Sequence, residues 1–224
     1  MHLLQQKLWK FKDKGASLTR KESFRALELG LKYLDARRIP GEIFEFGTLF
    51  GDIPLHADYL FSKNKRGFSR RPISVFDSFS GLPGEILESE SKVFEEGDLA
   101  FPLNAYLQRM SKYGVNEDDI RIFPGYFQES LERYTEDTSC ALAWLDADLY
   151  SSTQSILKFL ESRLVDQSLL FIDDYWVAKN GHGGPSLALE EWTARNREVC
   201  KFKLLPWRSF HWAGEIFVFH RVNS

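Results

Sequence analysis

Six acidic side chains stand where chemistry is easiest to build: Glu45, Asp77, Asp146, Asp148, Asp173 and Asp174. Each closes or follows an apolar run of strand length. Four of them come as two pairs, in Leu145-Asp146-Ala147-Asp148-Leu149-Tyr150 and in Phe171-Ile172-Asp173-Asp174-Tyr175. Carboxylates a few ångström apart do not all stay ionised without a counter-charge, because like charges force at least one pKa upward. A divalent cation resolves the conflict. Oxygen donors without Cys or His at zinc spacing favour Mg²⁺, with Ca²⁺ or Mn²⁺ as alternatives, over zinc. The competing expectation is that these acids cap the helices that follow, near Ser151 and Val177. Capping explains one acid per turn, but hardly both.

The remaining two acids point to a nucleoside. Glu45-Phe46-Gly47-Thr48-Leu49-Phe50-Gly51 is an E-x-G-x-x-x-G turn from a strand into a helix, whose glycines permit a tight turn and close backbone approach to a ligand. The G-x-G-x-x-G dinucleotide fingerprint is absent, and an acid precedes the first glycine. Phe76-Asp77-Ser78-Phe79 closes the next strand, which puts a carboxylate where it can accept from two ribose hydroxyls. An adenosine-bearing ligand other than NAD fits this combination, and S-adenosylmethionine (SAM) is the candidate.

These residues need a sheet to bring them together. Apolar runs at 42–47, 73–77, 120–124, 140–146 and 169–173 alternate with segments of helical period, as in a doubly wound, Rossmann-like α/β sheet. Two more runs, 202–206 and 215–220, are separated by too few residues for a helical crossover. They are expected to form an antiparallel hairpin at one edge, giving seven strands, mostly parallel. Thr19 and Glu22 have capping-box spacing, so a helix is expected over 20–38, stopping before Pro40. Ile156, Leu157, Leu160 and Leu164 mark another helix, and residues 187–199 a third. Residues 84–101, with six acids and one Lys, have no clean period; they are either a substrate-covering lid or a solvated loop.

With 224 residues, 43% hydrophobic, the chain reads as a single domain over 1–224, with residues 1–40 as a helical arm. A net charge of −3 without a long basic run argues against nucleic acid as a partner. No apolar stretch is long enough to span a membrane and the first residues build no signal-type core, so a soluble, cytoplasmic protein is expected. Cys140 and Cys200 are too few for a disulfide framework or a cysteine zinc site, and read as buried free thiols. Lys7, Lys10, Lys12 and Lys14 read as one face of an amphipathic arm.

The strings GEIFEFGTLFGD, ISVFDSFSGLPG, RIFPGYFQESL, LAWLDADLYSST and LLFIDDYW occur in this order. Together they resemble the macrocin-type sugar O-methyltransferases, class I SAM-dependent enzymes that tailor glycosylated natural products. The resemblance spans residues 41–192. It implies that Glu45, Gly47 and Gly51 line the methionine end of SAM, and that Asp77 holds the ribose with Ser78 and Phe79 beside it. Gly125, Tyr126 and Phe127 would flank the adenine. Asp146, Asp173 and Asp174 would ligate the metal, and Asp148 would be the base. The implied partner is a glycosylated small molecule, with self-association into a homo-oligomer left open.

Three departures stand out. Asp52 replaces a small residue after Gly51, the N-terminus is short, and residues 176–192 differ from the glycine-then-basic pattern expected there. His182, in a glycine-rich loop past the fifth strand, is a second candidate base or substrate contact, or simply an exposed residue. Trp176, Trp207, Phe210 and Trp212 are either stacking surfaces for a sugar or aglycone, or core and dimer contacts. Other classes compete: a metal-dependent catechol or phenol O-methyltransferase, an NAD-dependent oxidoreductase, and a non-catalytic SAM-binding module. The missing dinucleotide fingerprint and the terminal hairpin count against the second, and the intact acidic cluster against the third. Alternation along a strand would put Asp146 and Asp148 on one face, if the strand persists that far.

Overall fold

The structure is a computed structural model that describes residues 2–63, 67–115, 119–176, 184–198 and 202–222, of which 2–17, 63, 197 and 198 are described by backbone alone. In chain order the elements are α1 (His2–Arg37), β1 (Glu42–Phe46), α2 (Asp52–Lys63), β2 (Ile73–Asp77), α3 (Leu103–Lys112), β3 (Ile120–Pro124), α4 (Phe127–Ser130), β4 (Cys140–Leu145), α5 (Tyr150–Leu160), β5 (Leu164–Ile172), α6 (Gly184–Glu198), β6 (Phe202–Phe210) and β7 (Gly214–Arg221). The seven strands form one sheet in the order β3-β2-β1-β4-β5-β7-β6. The first five are parallel, and β7 runs antiparallel to both β5 and β6. The expected doubly wound sheet with a C-terminal antiparallel hairpin is what the chain forms.

The central strands are apolar on both faces because helices cover both. On one face, Ile43, Ile73, Val75, Trp144 and Phe171 pack under α1, α2 and α3 through Leu27, Leu31, Ala57, Leu60, Tyr106 and Met110. Gly30 lets α1 lie close to the sheet, since a Cβ there would stand 2.8 Å from the Phe171 ring. On the other face, Phe44, Phe46, Phe76, Leu145 and Ile172 pack under α5 and α6 through Ile156, Leu157, Leu160 and Trp192. Cys140 lies in this second layer as a buried free thiol, and its burial pushes the thiol pKa up. Cys200 lies outside the described residues.

Three expectations change. Leu164, expected in the helix with Ile156, Leu157 and Leu160, instead opens β5, because α5 ends at Leu160. The helix expected over 20–38 begins far earlier, so Thr19 is an interior residue of α1 and no capping box operates there. The upstream residues Leu3, Leu4, Gln5, Gln6, Lys7 and Leu8 are good helix formers and carry the helix through the local signal. In addition, β4 ends at Leu145, so Asp146 and Asp148 lie beyond the strand and its alternation does not orient them.

Strand order reverses between β1 and β4, and the crevice at such a switch point is where open α/β sheets bind ligands. Here the two strand ends touch. A Cβ on Gly47 would lie 1.9 Å from the Asp146 carbonyl oxygen, and Gly47 holds φ +80°. Gly67, at φ +69°, has nothing within 4 Å. Gly47→Ala should therefore destabilise the fold by more than about 3 kcal/mol, beyond ordinary overpacking. Gly67→Ala should cost only the ~1 to 2 kcal/mol of a left-handed alanine. Equilibrium denaturation of the two variants checks the difference.

Candidate functional site

A cleft of about 630 Å³ opens over the carboxyl ends of β1, β2, β4 and β5. Its size is that of a site for a drug-sized ligand. At one end lies Glu45, which alternation along β1 places on the same face as Ile43, in a position where an apolar residue would be expected. Glu45 is 2% exposed. Its Oε2, the Thr48 hydroxyl and the Tyr106 hydroxyl are all buried without a well-formed hydrogen bond. Burial first, then the charges of Asp77 and Asp52, push the Glu45 pKa well above the usual carboxylate range, while the neighbouring Thr48 works the other way. Burial, followed by Glu45, likewise raises the Tyr106 phenol. This orphaned acceptor group is the chemistry an ammonium ion satisfies.

Asp77 organises the turn after β1. Its Oδ2 accepts from the backbone N–H of Thr48 at 2.7 Å and of Leu49 at 3.4 Å, and its Oδ1 accepts from Phe79 N–H at 2.7 Å. An ionised carboxylate has about four lone-pair sites, so one remains for a ligand.

At the other end, Asp146, Asp148, Asp173 and Asp174 line the same cleft. Burial, then Asp173, Asp148, Asp174 and Glu45 in that order, hold the Asp146 pKa well above the usual range. This is the charge conflict expected from the two acidic pairs. Among the described residues, no group of three Asp, Glu, His or Cys side chains stands ready to hold a metal ion. The donor chemistry suits a hard cation, but the side chains would have to turn toward it.

Asp148 lies in neither strand nor helix. It takes φ +57° in the turn between β4 and α5 and lines the cleft from there. The acids do not cap α5. Its N-cap position is Leu149, without a side-chain cap, and the N–H of Tyr150 instead donates to Glu90 Oε1 at 2.8 Å.

Glu90 belongs to the acidic segment 84–101. Its Oε2 accepts from Leu87 N–H, and Ser151 Oγ donates to the Glu85 carbonyl. Leu82 and Asp98 close the base of the segment by a backbone hydrogen bond of 2.9 Å. The segment is thus a built loop docked on the start of α5, and Leu82, Pro83 and Leu99 give the cleft one wall. No local pattern announces Glu90, because its partner lies 60 residues away.

Helix α1 forms a second wall with Thr19, Arg20, Ser23 and Phe24. The unusual Asp52 holds it there: Arg20 Nε lies 2.7 Å from Asp52 Oδ2, and Arg109 Nη2 lies 2.7 Å from Asp52 Oδ1. The β6–β7 hairpin gives the third wall, His211 and Trp212. Among the expected aromatics, Trp212 lines the cleft at 73% exposure. The others are structural: Trp176 Nε1 donates to Glu215, Trp207 packs on Tyr33, and Phe210 is buried beside Trp144 and Phe171. His211 is missing from the sequence-based candidates, although it neighbours two of them.

Of the expected ligand residues, Glu45, Gly47, Asp77, Ser78, Tyr126 and Phe127 line the cleft. Three do not. Gly51 backs onto α3, where a Cβ would stand 2.2 Å from Met110 Cε. Phe79 is buried, its ring centroid 5.2 Å from that of Tyr106. Gly125 ties β3 to β2 through its N–H to the Asp77 carbonyl. The second candidate base, His182, lies outside the described residues.

The profile of the macrocin O-methyltransferase family matches residues 10–196. The chain belongs to this family. A relative from Streptomyces olivaceus, 8-demethyl-8-(2,3-dimethoxy-alpha-L-rhamnosyl)-tetracenomycin-C 4′-O-methyltransferase, is 31% identical over 165 residues, 66% of this chain and 62% of its own. Mycinamicin III 3″-O-methyltransferase from Micromonospora griseorubida is 26% identical over 153 residues, 62% of this chain and 57% of its own. The chain thus spans less than two thirds of the length of these family members. Among solved structures, the O-methyltransferase NovP superposes with a TM-score of 0.73 over 89% of this chain and 80% of its own, at 20% identity. The calicheamicin methyltransferase CalS11 gives 0.68 over 96% and 84%, at 23% identity. Both share the family's α/β methyltransferase fold. No helix among the described residues is long and apolar enough to cross a membrane.

The raised Glu45 pKa has a measurable sign. The folded state holds this proton to higher pH than the unfolded chain, where Glu titrates near ~4.3, so stability falls as pH rises above that value. Glu45→Gln removes the penalty. In ligand-free protein, the Tm of Glu45→Gln minus that of wild type should be small at pH 4 and grow toward pH 7. A difference that stays flat with pH would contradict the assignment.

Proposed function

We propose that the protein transfers a methyl group from SAM to a hydroxyl of a sugar on a glycosylated small molecule. The reading rests on one juxtaposition: an orphaned acceptor group at Glu45 and Thr48, beside Asp77, shares a cleft with the four clustered aspartates. Membership of the macrocin O-methyltransferase family supports it, as do relatives whose names specify sugar positions.

On this reading Glu45 accepts from the ammonium of the SAM methionine, which relieves its buried charge. Gly47 lets the chain pass close to that end, and Asp77 offers its remaining lone pair to the ribose. Tyr126 and Phe127 supply the aromatic surface for the base. The acceptor enters between Leu99 of the docked loop and Trp212 of the hairpin, with its hydroxyl toward Asp148.

Holding nucleophile and sulfonium in line removes several kcal/mol of the barrier. The acceptor oxygen bonds to the methyl carbon as the carbon–sulfur bond breaks, and the hydroxyl proton passes to Asp148. A carboxylate is a feeble base for an alcohol. A divalent cation held by Asp146, Asp173 and Asp174, Mg²⁺ by choice, would acidify that hydroxyl. A catechol acceptor would use the same groups.

Calorimetry with S-adenosylhomocysteine should show binding to the wild type. Methyl-transfer assays should then favour rhamnosides and related glycosides over simple catechols. EDTA should abolish turnover and Mg²⁺ should restore it. Full activity in chelator, on protein shown metal-free by elemental analysis, removes the cation from the reading; a preference for catechols replaces the sugar. Asp148→Asn should lower kcat by about 10² or more while leaving S-adenosylhomocysteine affinity near normal. An unchanged kcat would move Asp148 to a structural role.

A further inference from the structure

His211 sits at the tip of the β6–β7 hairpin with φ +39°, a place where a polar side chain ordinarily points to water. Its side chain is instead 2% exposed and lines the cleft beside the aspartates. Its ring makes contacts through both nitrogens. Nδ1 accepts from the backbone N–H of Ala213 at 3.1 Å and of Gly214 at 3.3 Å. Nε2 lies 2.8 Å from Asp173 Oδ1.

Backbone N–H groups only donate, so the Nδ1 lone pair is taken and the ring proton resides on Nε2. This tautomer decides what His211 does. A general base or a metal ligand needs a lone pair facing the cleft, and His211 presents an N–H there instead. A plain packing residue is an equally poor account, because a buried N–H without a well-aligned acceptor costs about 1 to 3 kcal/mol, which a phenylalanine would avoid.

We propose that His211 is a positioning residue for Asp173: the hairpin backbone fixes its tautomer, and its Nε2–H holds Asp173 Oδ1 so that Oδ2 is the oxygen that meets the ligand. Oδ1 already accepts from Asp174 N–H at 2.9 Å, so the histidine completes its donors. The Nε2–H is not in line with Oδ1 in this structure, so the proposal requires the Asp173 carboxylate to turn toward it when ligand binds. The hairpin, which closes the sheet at its far edge, thereby acquires a hold on the acidic end of the cleft. The assignment of a role in turnover rests on the proposed methyl transfer; the tautomer and the contact do not.

Nitrogen-resolved NMR of the full chain labelled at its five histidines separates the two. Loss of one resonance set in His211→Gln assigns His211. The Nε2–H tautomer is expected, with a shift that moves in Asp173→Asn and stays in place in the remote Asp166→Asn. The Nδ1–H tautomer, or indifference to Asp173→Asn, overturns the proposal whether or not the protein proves to be a methyltransferase.

In turnover, His211→Phe should lower kcat by about 10-fold or more with the KM for SAM unchanged, and His211→Gln, which keeps an N–H donor, should recover most of the loss. Wild-type kcat in folded His211→Phe, or a Gln variant no better than Phe, overturns it. A wild type inactive on every acceptor sinks the proposed function alone, and the NMR result then decides the positioning role.

Discussion

Glu45 is a buried carboxyl group and Asp146 a half-buried one at adjacent strand ends, and Glu45 adds to the difficulty of ionising Asp146. Other acids around the cleft are satisfied within the protein. Asp52 is clamped between Arg20 and Arg109, Asp77 is covered by three backbone N–H groups, and Glu90 accepts from two more. These satisfied acids do mechanical work: they fix α1 to α2 and α3, the β1 turn to β2, and the acidic loop to α5. Among the described residues, Glu45 Oε2 has no such partner. Asp77 belongs to both framework and binding site: three backbone N–H groups satisfy it, and it lines the cleft.

The carboxyl edge of the sheet carries a second sign of function. Leu49, Phe79, Asp148 and Asp174 follow β1, β2, β4 and β5 by two or three residues, and each has a left-handed backbone, with φ between +45° and +57°. Asp tolerates this region through its short polar side chain, whereas Leu and Phe bear the full steric cost. This backbone recurs after four neighbouring strands, and Leu49, Asp148 and Asp174 line the cleft. The surrounding contacts, such as the hydrogen bonds from Leu49 and Phe79 to Asp77, hold these turns in place.

The sheet was legible in the sequence because its strands are short continuous apolar runs, a signal that survives without tertiary information. β2 and β3 begin and end at the residues read from the pattern. The acids at the strand ends were legible for the same reason: a charge that terminates an apolar run is conspicuous. What escaped was non-local. Thr19 and Glu22 look like a helix start only if the preceding residues are ignored, and nothing local shows that Gly51 packs against Met110 of α3. Glu90 resembles any other acid of its segment until the segment folds back on Tyr150. His211 was hidden by its position in a hairpin tip, where sequence alone suggests solvent.

Cofactor and acceptor are consequently recognised by different parts of the chain on the proposed reading. Groups for SAM come from the strand ends and the turns they enforce, which any member of the fold must build. Walls for the acceptor come from α1, the docked loop and the hairpin, none of which the sheet dictates. One of the departures in sequence bears on these walls, since Asp52 secures α1. Arg20 and Asp52 lie at the point where one wall meets the SAM turn, so a change in either moves the acceptor wall and the cofactor loop together. Leu99 and Trp212 line the cleft as exposed apolar side chains, on the walls assigned to the acceptor. On the proposed reading, substitutions at these two positions would alter the choice of acceptor while leaving the acids, and with them the chemistry, in place.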